Sequence, residues 1–311
     1  MGKGNKGGKG KAREGASTGR STAPTGPEAA SGANPGNVRA LYGVGAGFDL
    51  AAIDPEVVAR GPADRESARA ACLALEEEAS ELHEKLWAQS RKGGNRSVLI
   101  CLQGMDTSGK GGATRAIDRL LDPLGFSVTG FGAPSDEEKQ HDYLWRHERA
   151  LPEVGKVRLW DRSHYETVLI ERVREFVPEE TWRARYDEIN AWEAGLAERG
   201  VIVIKFMLHI SRDEQKQRFL ERLADPTKHW KYNPKDIDER GLWDDYQAAY
   251  SDALTKCSTE VAPWYVVPAN HKWHRDWILS TVLVETLRAM DLSYPGGDFD
   301  VAAEVARVEA S

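Results

Sequence analysis

The sequence predicts an α/β protein of three layers, a parallel sheet covered by helices on both faces. Two observations carry that expectation. Short apolar runs alternate with longer segments of helical periodicity between residues 93 and 292. Strands separated by helices imply a parallel sheet covered on both faces. A glycine-rich turn, GMDTSGKGG, falls between the first run and the helical segment that follows it.

Each element follows from local pattern. Residues 1–36 are rich in Gly, Lys, Ser and Pro and nearly devoid of large apolar side chains. Such a segment cannot offset its ordering entropy and is expected to be a disordered tail. Residues 37–92 are expected to form a loop and a helical extension. The stretch LYGVGAGFDL within it is spaced GxGxG rather than GxGxxG, with no strand before it, and reads as a loop. Residues 62–91 read as a helix, with Leu73, Leu75, Leu82 and Leu86 near helical spacing. In the core, 93–292, strands are expected at 98–103, 126–131, 156–161, 201–208 and 264–268. Helices are expected at 109–122, 136–150, 164–175, 178–199, 211–224, 238–257 and 273–290. The run VIVIKFML at 201–208 is the strongest buried strand. Residues 293–311 are left as a C-terminal tail.

Composition bounds the function. The 311 residues carry a net charge of −7, which argues against a general nucleic-acid coat and for no specific nucleic-acid partner. A local basic cluster still permits a polyanionic substrate. No apolar run is long enough to span a membrane. The three cysteines, Cys72, Cys101 and Cys257, lie far apart and form no CxxC pair, so a thiolate metal site is not expected. A cytoplasmic location follows as the default.

The segment VLICLQGMDTSGKGG places GxxxxGK between a strand and a helix. Gly104 and Gly109 let the chain turn and present backbone N–H groups. With Met105, Thr107, Ser108, Gly111 and Gly112 they are expected to cradle phosphate oxygens at the helix N-terminus. Lys110 supplies a cation near the reacting bond. The residue after the lysine is Gly111, not the Ser or Thr whose hydroxyl would bind Mg²⁺. Asp106 inside the loop is the expected substitute, the alternative being a turn-forming Asp.

KVRLWDRSHYE puts Asp161 at the carboxyl end of a strand, the edge that faces the ligand crevice in open α/β sheets. Asp161 is therefore the second metal-orienting candidate. Arg162 can clamp a phosphate bidentately or pair with a neighbouring acid. Glu166 lies about one helical turn on and either faces the acceptor or caps the helix. Residues 212–243 are expected to form a basic lid. Arg218 and Arg222 share one helix face, and Lys228, Lys231 and Lys235 follow, interleaved with aromatics. Closure would exclude water and bring guanidinium groups to the transferring phosphoryl. No strong general base lies beside the loop. A phosphate acceptor, already largely anionic near neutral pH, needs one less than a hydroxyl does.

Four segments in order, GMDTSGKGG, WDRSHYE, KHWKYNPKDIDERGLWDDYQAAY and APWYVVPANHKWHRDW, resemble the polyphosphate kinase 2 family, and most closely its class III branch. The resemblance spans about residues 60–292. It implies a P-loop kinase fold related to thymidylate kinase. It also implies transfer between inorganic polyphosphate and AMP, ADP and ATP, with Mg²⁺ as cofactor and Mn²⁺ as a second candidate. Asp106 and Asp161 fall on the family's catalytic carboxylates, Lys110 on the loop lysine, Arg162 on the arginine after the second carboxylate, and Arg218 and Arg222 on the lid arginines. Arg162, Glu166 and Lys231 are then the nucleotide-facing candidates. Glu166 stands where diphosphate-preferring relatives tend to carry Asn, which implies acceptance of monophosphates too. Guanine nucleotides are further candidate acceptors, and a homo-oligomer, often a tetramer, is expected by the same analogy. The alternatives are an ATP-dependent nucleoside monophosphate kinase of the thymidylate type and a nucleotide switch without turnover. The missing hydroxyl after Lys110 argues against the first. NPKD at 233–236, which does not fit NKxD, argues against the second.

Overall fold

The computed structural model describes Met1 and residues 37–311, so the expectation of a disordered tail lies, Met1 apart, outside the described residues. Helix α1 (Val38–Tyr42) leads through a short 3₁₀ turn to α2 (Arg65–Ser90). A reciprocal cap starts α2: Asp64 accepts from the Ser67 N–H while Ser67 accepts from the Asp64 N–H. The core then runs β1 (Ser97–Gln103), α3 (Lys110–Asp118), β2 (Phe126–Gly130), α4 (Trp145–Glu148), β3 (Val157–Asp161), α5 (Ile170–Val173), α6 (Glu179–Glu198), β4 (Val201–His209), α7 (Arg212–Ala224), α8 (Lys235–Gly241), α9 (Trp243–Lys256), β5 (Trp264–Pro268) and α10 (Lys272–Ala289). A final helix, α11 (Val301–Glu309), follows.

The five strands form one parallel sheet in the order β2-β3-β1-β4-β5. Strand β1 is buried at every position and β4 at all but one, as central strands covered on both faces must be. Helix α10 packs against both α2 and α3 and, with α3, covers one side of the sheet, while α6 packs against β4 on the other. The register sets Leu102 of β1 beside Asp161 of β3, and Asp161 beside Gly130 of β2. The carboxyl ends of three neighbouring strands therefore open onto one crevice, the ligand edge of such sheets.

Several expectations need correction. Residues 136–150 are not one helix; they hold a 3₁₀ turn at Glu138–Gln140 and the short α4. Arg146 bonds back to the Gly132 carbonyl at 3.0 Å, which folds this segment over the end of β2 instead of extending it. Residues 164–175 likewise split into a 3₁₀ helix, His164–Val168, and α5. The 238–257 helix is α8 and α9, broken at Leu242. Residues 293–311 are not structureless, since α11 lies within them. The glycine-rich stretch after α1 is a loop, as expected. It covers the β5 edge through a bridge between Gly43 and Tyr265 and a bond from the Val44 N–H to the Trp264 carbonyl at 2.9 Å.

Candidate active site

The loop that leaves β1 turns through three positive-φ positions, Gly104 (150°), Thr107 (62°) and Gly109 (103°), and enters α3 at Lys110. At Gly104 a Cβ would lie 2.7 Å from Ser108 Oγ and 2.8 Å from the Leu208 carbonyl oxygen, so only glycine fits. The loop rims a cavity of about 560 Å³. Asp106 through Gly112 line one wall, with Arg115 one turn along α3. Gly130 to Gly132 and Asp161 with Arg162 line the strand-end wall. Arg222, Lys231 and Asp236 close it from the α7–α8 region.

The structure thus brings Asp106 and Asp161 to one cavity, together with Lys110, Arg162, Arg222 and Lys231. Lys110 Nζ donates to the Gly104 carbonyl at 2.7 Å. Burial pushes the Lys110 pKa down and Asp106 opposes that shift. Arg162 takes a positive φ of 66°, which turns its guanidinium toward Asp106, Nη2 to Oδ1 at 3.4 Å. For Arg162, burial alone would lower the pKa, and Glu166 with Asp106 outweigh it, so the group is held above its usual value. The ion-pair alternative for Arg162 is realised, with Asp106 as the acid.

Glu166 is half-buried beside Arg162 and Lys110. Burial pushes its pKa up against the pull of both cations. It does not cap the following turn; Ser163 does, accepting from the Tyr165 N–H. Gly104, Met105 and Glu166 stand behind the cavity wall rather than on it.

Arg218 is the clearest correction. The sequence placed it on the lid, facing the phosphoryl group. Its side chain is 5% exposed and absent from the cavity wall. It lies behind the loop, Nη1 donating to the carbonyls of Thr107 and Ser108, both at 2.9 Å. Arg222, one turn later, does reach the cavity. Three functional candidates escaped the sequence reading: Arg115, Asp236 and Arg275. Arg115 was legible in hindsight, since it shares the α3 face with Gly111 and Gly112. Arg275 was not, because its 3.2 Å bond to the Gly109 carbonyl spans 166 residues.

No three His, Cys, Asp or Glu side chains gather as a metal site among the described residues. Two carboxylates on one phosphate-binding cavity nevertheless suit Mg²⁺, which takes one or two carboxylates and completes its shell with phosphate and water. No helix among the described residues is long and apolar enough to cross a membrane.

A parallel sheet whose central strand feeds a phosphate loop, with a strand-end carboxylate beside it and basic side chains opposite, defines a P-loop phosphotransferase of the nucleotide-kinase kind. The chain matches the family "Polyphosphate kinase 2" over residues 64–295 and belongs to that family of enzymes. An AMP/ADP-polyphosphate phosphotransferase of Meiothermus ruber is 42% identical over 248 residues, covering 80% of this chain and 91% of the relative. An ADP-polyphosphate phosphotransferase of Rhodopseudomonas palustris is 41% identical, covering 70% and 78%. The crystal structure of polyphosphate kinase 2 from Arthrobacter aurescens TC1 superposes with a TM-score of 0.87 at 45% identity, covering 89% of this chain and 98% of that one.

Proposed function

We propose that the protein transfers the terminal phosphoryl group of inorganic polyphosphate, reversibly, to ADP and to AMP. The observation that carries this is the convergence of Asp106, Asp161, Lys110, Arg162, Arg222 and Lys231 on one cavity at the phosphate loop. The relatives named for AMP, ADP and polyphosphate support the choice of substrates.

The chemistry asks mainly for positioning and charge neutralisation. The loop N–H groups and Lys110 hold the polyphosphate end. Arg162, Arg222 and Lys231 lie where two polyanions must approach, and reduce their repulsion. Asp106 and Asp161 would hold Mg²⁺, which neutralises developing charge on the transferring group. Manganese would fit the same donors. Guanine nucleotides as further acceptors and a homotetramer belong to this proposal and rest on the family resemblance; a cytoplasmic location belongs to it too and rests on the scattered cysteines.

The test is direct. Purified protein with Mg²⁺, polyphosphate and ADP or AMP should form ATP or ADP. Absence of product with both acceptors, alongside activity with ATP and dTMP, would replace this proposal with a nucleoside monophosphate kinase.

A further inference from the structure

We propose that Arg218 and Arg275 form a two-sided clamp that sets the phosphate loop in its anion-binding shape. Both act as positioning residues for the transfer proposed above, and the inference rests on that reading of the site.

The two guanidinium groups come from different elements, α7 and α10, and meet behind the loop. Arg218 Nη1 donates to the carbonyls of Thr107 and Ser108, each at 2.9 Å. Its Nη2 donates to the carbonyls of Ala269 at 2.6 Å and Asn270 at 3.1 Å, so the loop is tied to the segment after β5. Arg275 Nη1 donates to the next loop carbonyl, Gly109, at 3.2 Å. Three successive carbonyls are thereby drawn away from the cavity. All described peptide bonds are trans, and in a trans peptide the N–H points opposite to the C=O. Holding the carbonyls of Ser108 and Gly109 backward therefore aims the N–H groups of Gly109 and Lys110 forward. Neither N–H has a backbone acceptor among the described residues.

The glycines of the loop are cut to the clamp. A Cβ on Gly109 would overlap the Arg275 guanidinium, and one on Gly112 would stand 2.8 Å from Arg275 Nη2. Gly112 lies outside the minimal GxxxxGK pattern, and Arg275 explains it. Both arginines are nearly inaccessible, at 5% and 3%, and neither lines the cavity. Each buried charge has its own carboxylate: Glu214 for Arg218 at 2.6 Å and Asp276 for Arg275 at 2.5 Å. A lysine, with one nitrogen, cannot span the carbonyls that Arg218 joins.

The experiment uses the full chain with Arg275→Gln, Arg275→Lys, Gly112→Ala and the double variant Gly112→Ala/Arg275→Gln. Melting midpoints, initial rates with polyphosphate and ADP, and calorimetric ATP binding are measured for each. Arg275→Gln should lower kcat/KM for polyphosphate by about 10²-fold, the scale of a misplaced binding group, mainly through KM. The KM for ADP should stay within about twofold, and Arg275→Lys should recover part of the loss. Gly112→Ala alone should resemble Arg275→Gln, although alanine favours a helix, and the double variant should be no worse than either single. An unchanged polyphosphate KM in a folded Arg275→Gln protein would overturn the clamp. So would additive losses in the double variant, or a parallel rise of both KM values tracking a lowered melting midpoint. If the wild type shows no polyphosphate turnover, the proposed function fails alone. ATP affinity then decides the clamp: a loss of about tenfold in Arg275→Gln supports it, and no loss overturns it.

Discussion

Thr107 and Arg162 are non-glycine residues held at positive φ, 62° and 66°, and they flank Asp106 from the two walls of the cavity. Such backbones cost about 1–3 kcal/mol each and persist where surrounding bonds fix them. Arg162 spends its strain on turning a guanidinium toward Asp106 while Asp161 stays in the ladder of β3. Replacing Lys110 or Asp161 by Ala should lower turnover by at least about 10², the loss of a major transition-state contact, in single-substrate rate assays. The Lys110→Ala protein should keep its melting midpoint, since the hydrogen bonds of the side chain go only to the Gly104 and Met105 carbonyls of its own loop. Asp236 offers a pH test. Burial first, and Asp106 next, push its carboxyl up from 3.8 to about 6. The folded state thus binds this proton more tightly than the unfolded chain does. Its stabilising effect is full below the unfolded value and is lost as pH rises through about 6. Above that pH an added negative charge faces incoming phosphates. Asp236→Asn should lower the KM for ADP at pH 8 and flatten its dependence between pH 5.5 and 8, read from initial rates at saturating polyphosphate.

At the level of elements, a buried network fastens the strands to the segment that carries Arg162. Lys205 of β4 donates to Glu193 of α6 at 2.5 Å, to Tyr165 Oη at 2.8 Å and to the Cys257 carbonyl at 2.7 Å. His164 Nε2 stands 3.1 Å from the other Glu193 oxygen. Burial works against the Glu193 charge, and Lys205 and His164 outweigh it, keeping its pKa below the usual range. Glu193→Gln leaves Lys205 charged, buried and without its counter-ion. It should cost about 3–5 kcal/mol, or about 5–8 °C in melting midpoint by calorimetry. In the sequence, Lys205 was only a lysine inside a strand, because its partners come from three other elements. The strands themselves were legible: each expected run lies within one residue of the observed ends, and for the central β1 and β4 burial on both faces writes itself as nearly unbroken apolar sequence, whereas the edge strand β2 is only partly buried. The 136–150 and 164–175 segments were not. They are shaped by long-range bonds around the cavity, such as Arg146 to Gly132 and Arg185 to Thr167, which periodicity cannot carry.

Across the whole molecule, the candidate site was readable wherever one motif held it together. The loop, Asp161 and Arg162 were found from strand ends and spacing. Arg218 was misplaced because α7 offers Arg218 and Arg222 on nearly the same face, and only packing decides which one turns to the loop and which to the cavity. Peripheral parts carry little of the stability. Helix α11 buries none of its residues, so removing residues 300–311 should shift the melting midpoint by less than about 2 °C in scanning calorimetry.

The side-by-side register of Leu102 and Asp161 reaches beyond local geometry. Asp161 is set by a hydrogen-bonded ladder and Asp106 by the loop that leaves the neighbouring strand, while Arg222, Lys231 and Asp236 hang from helices outside the sheet. In the proposed reading, the half that grips the polyphosphate is thus anchored in the sheet, and the half that receives the nucleotide hangs from helices outside it. Attempts to retune nucleotide preference can accordingly start from Glu166, α7, α8 and the turn between them, leaving the strands untouched.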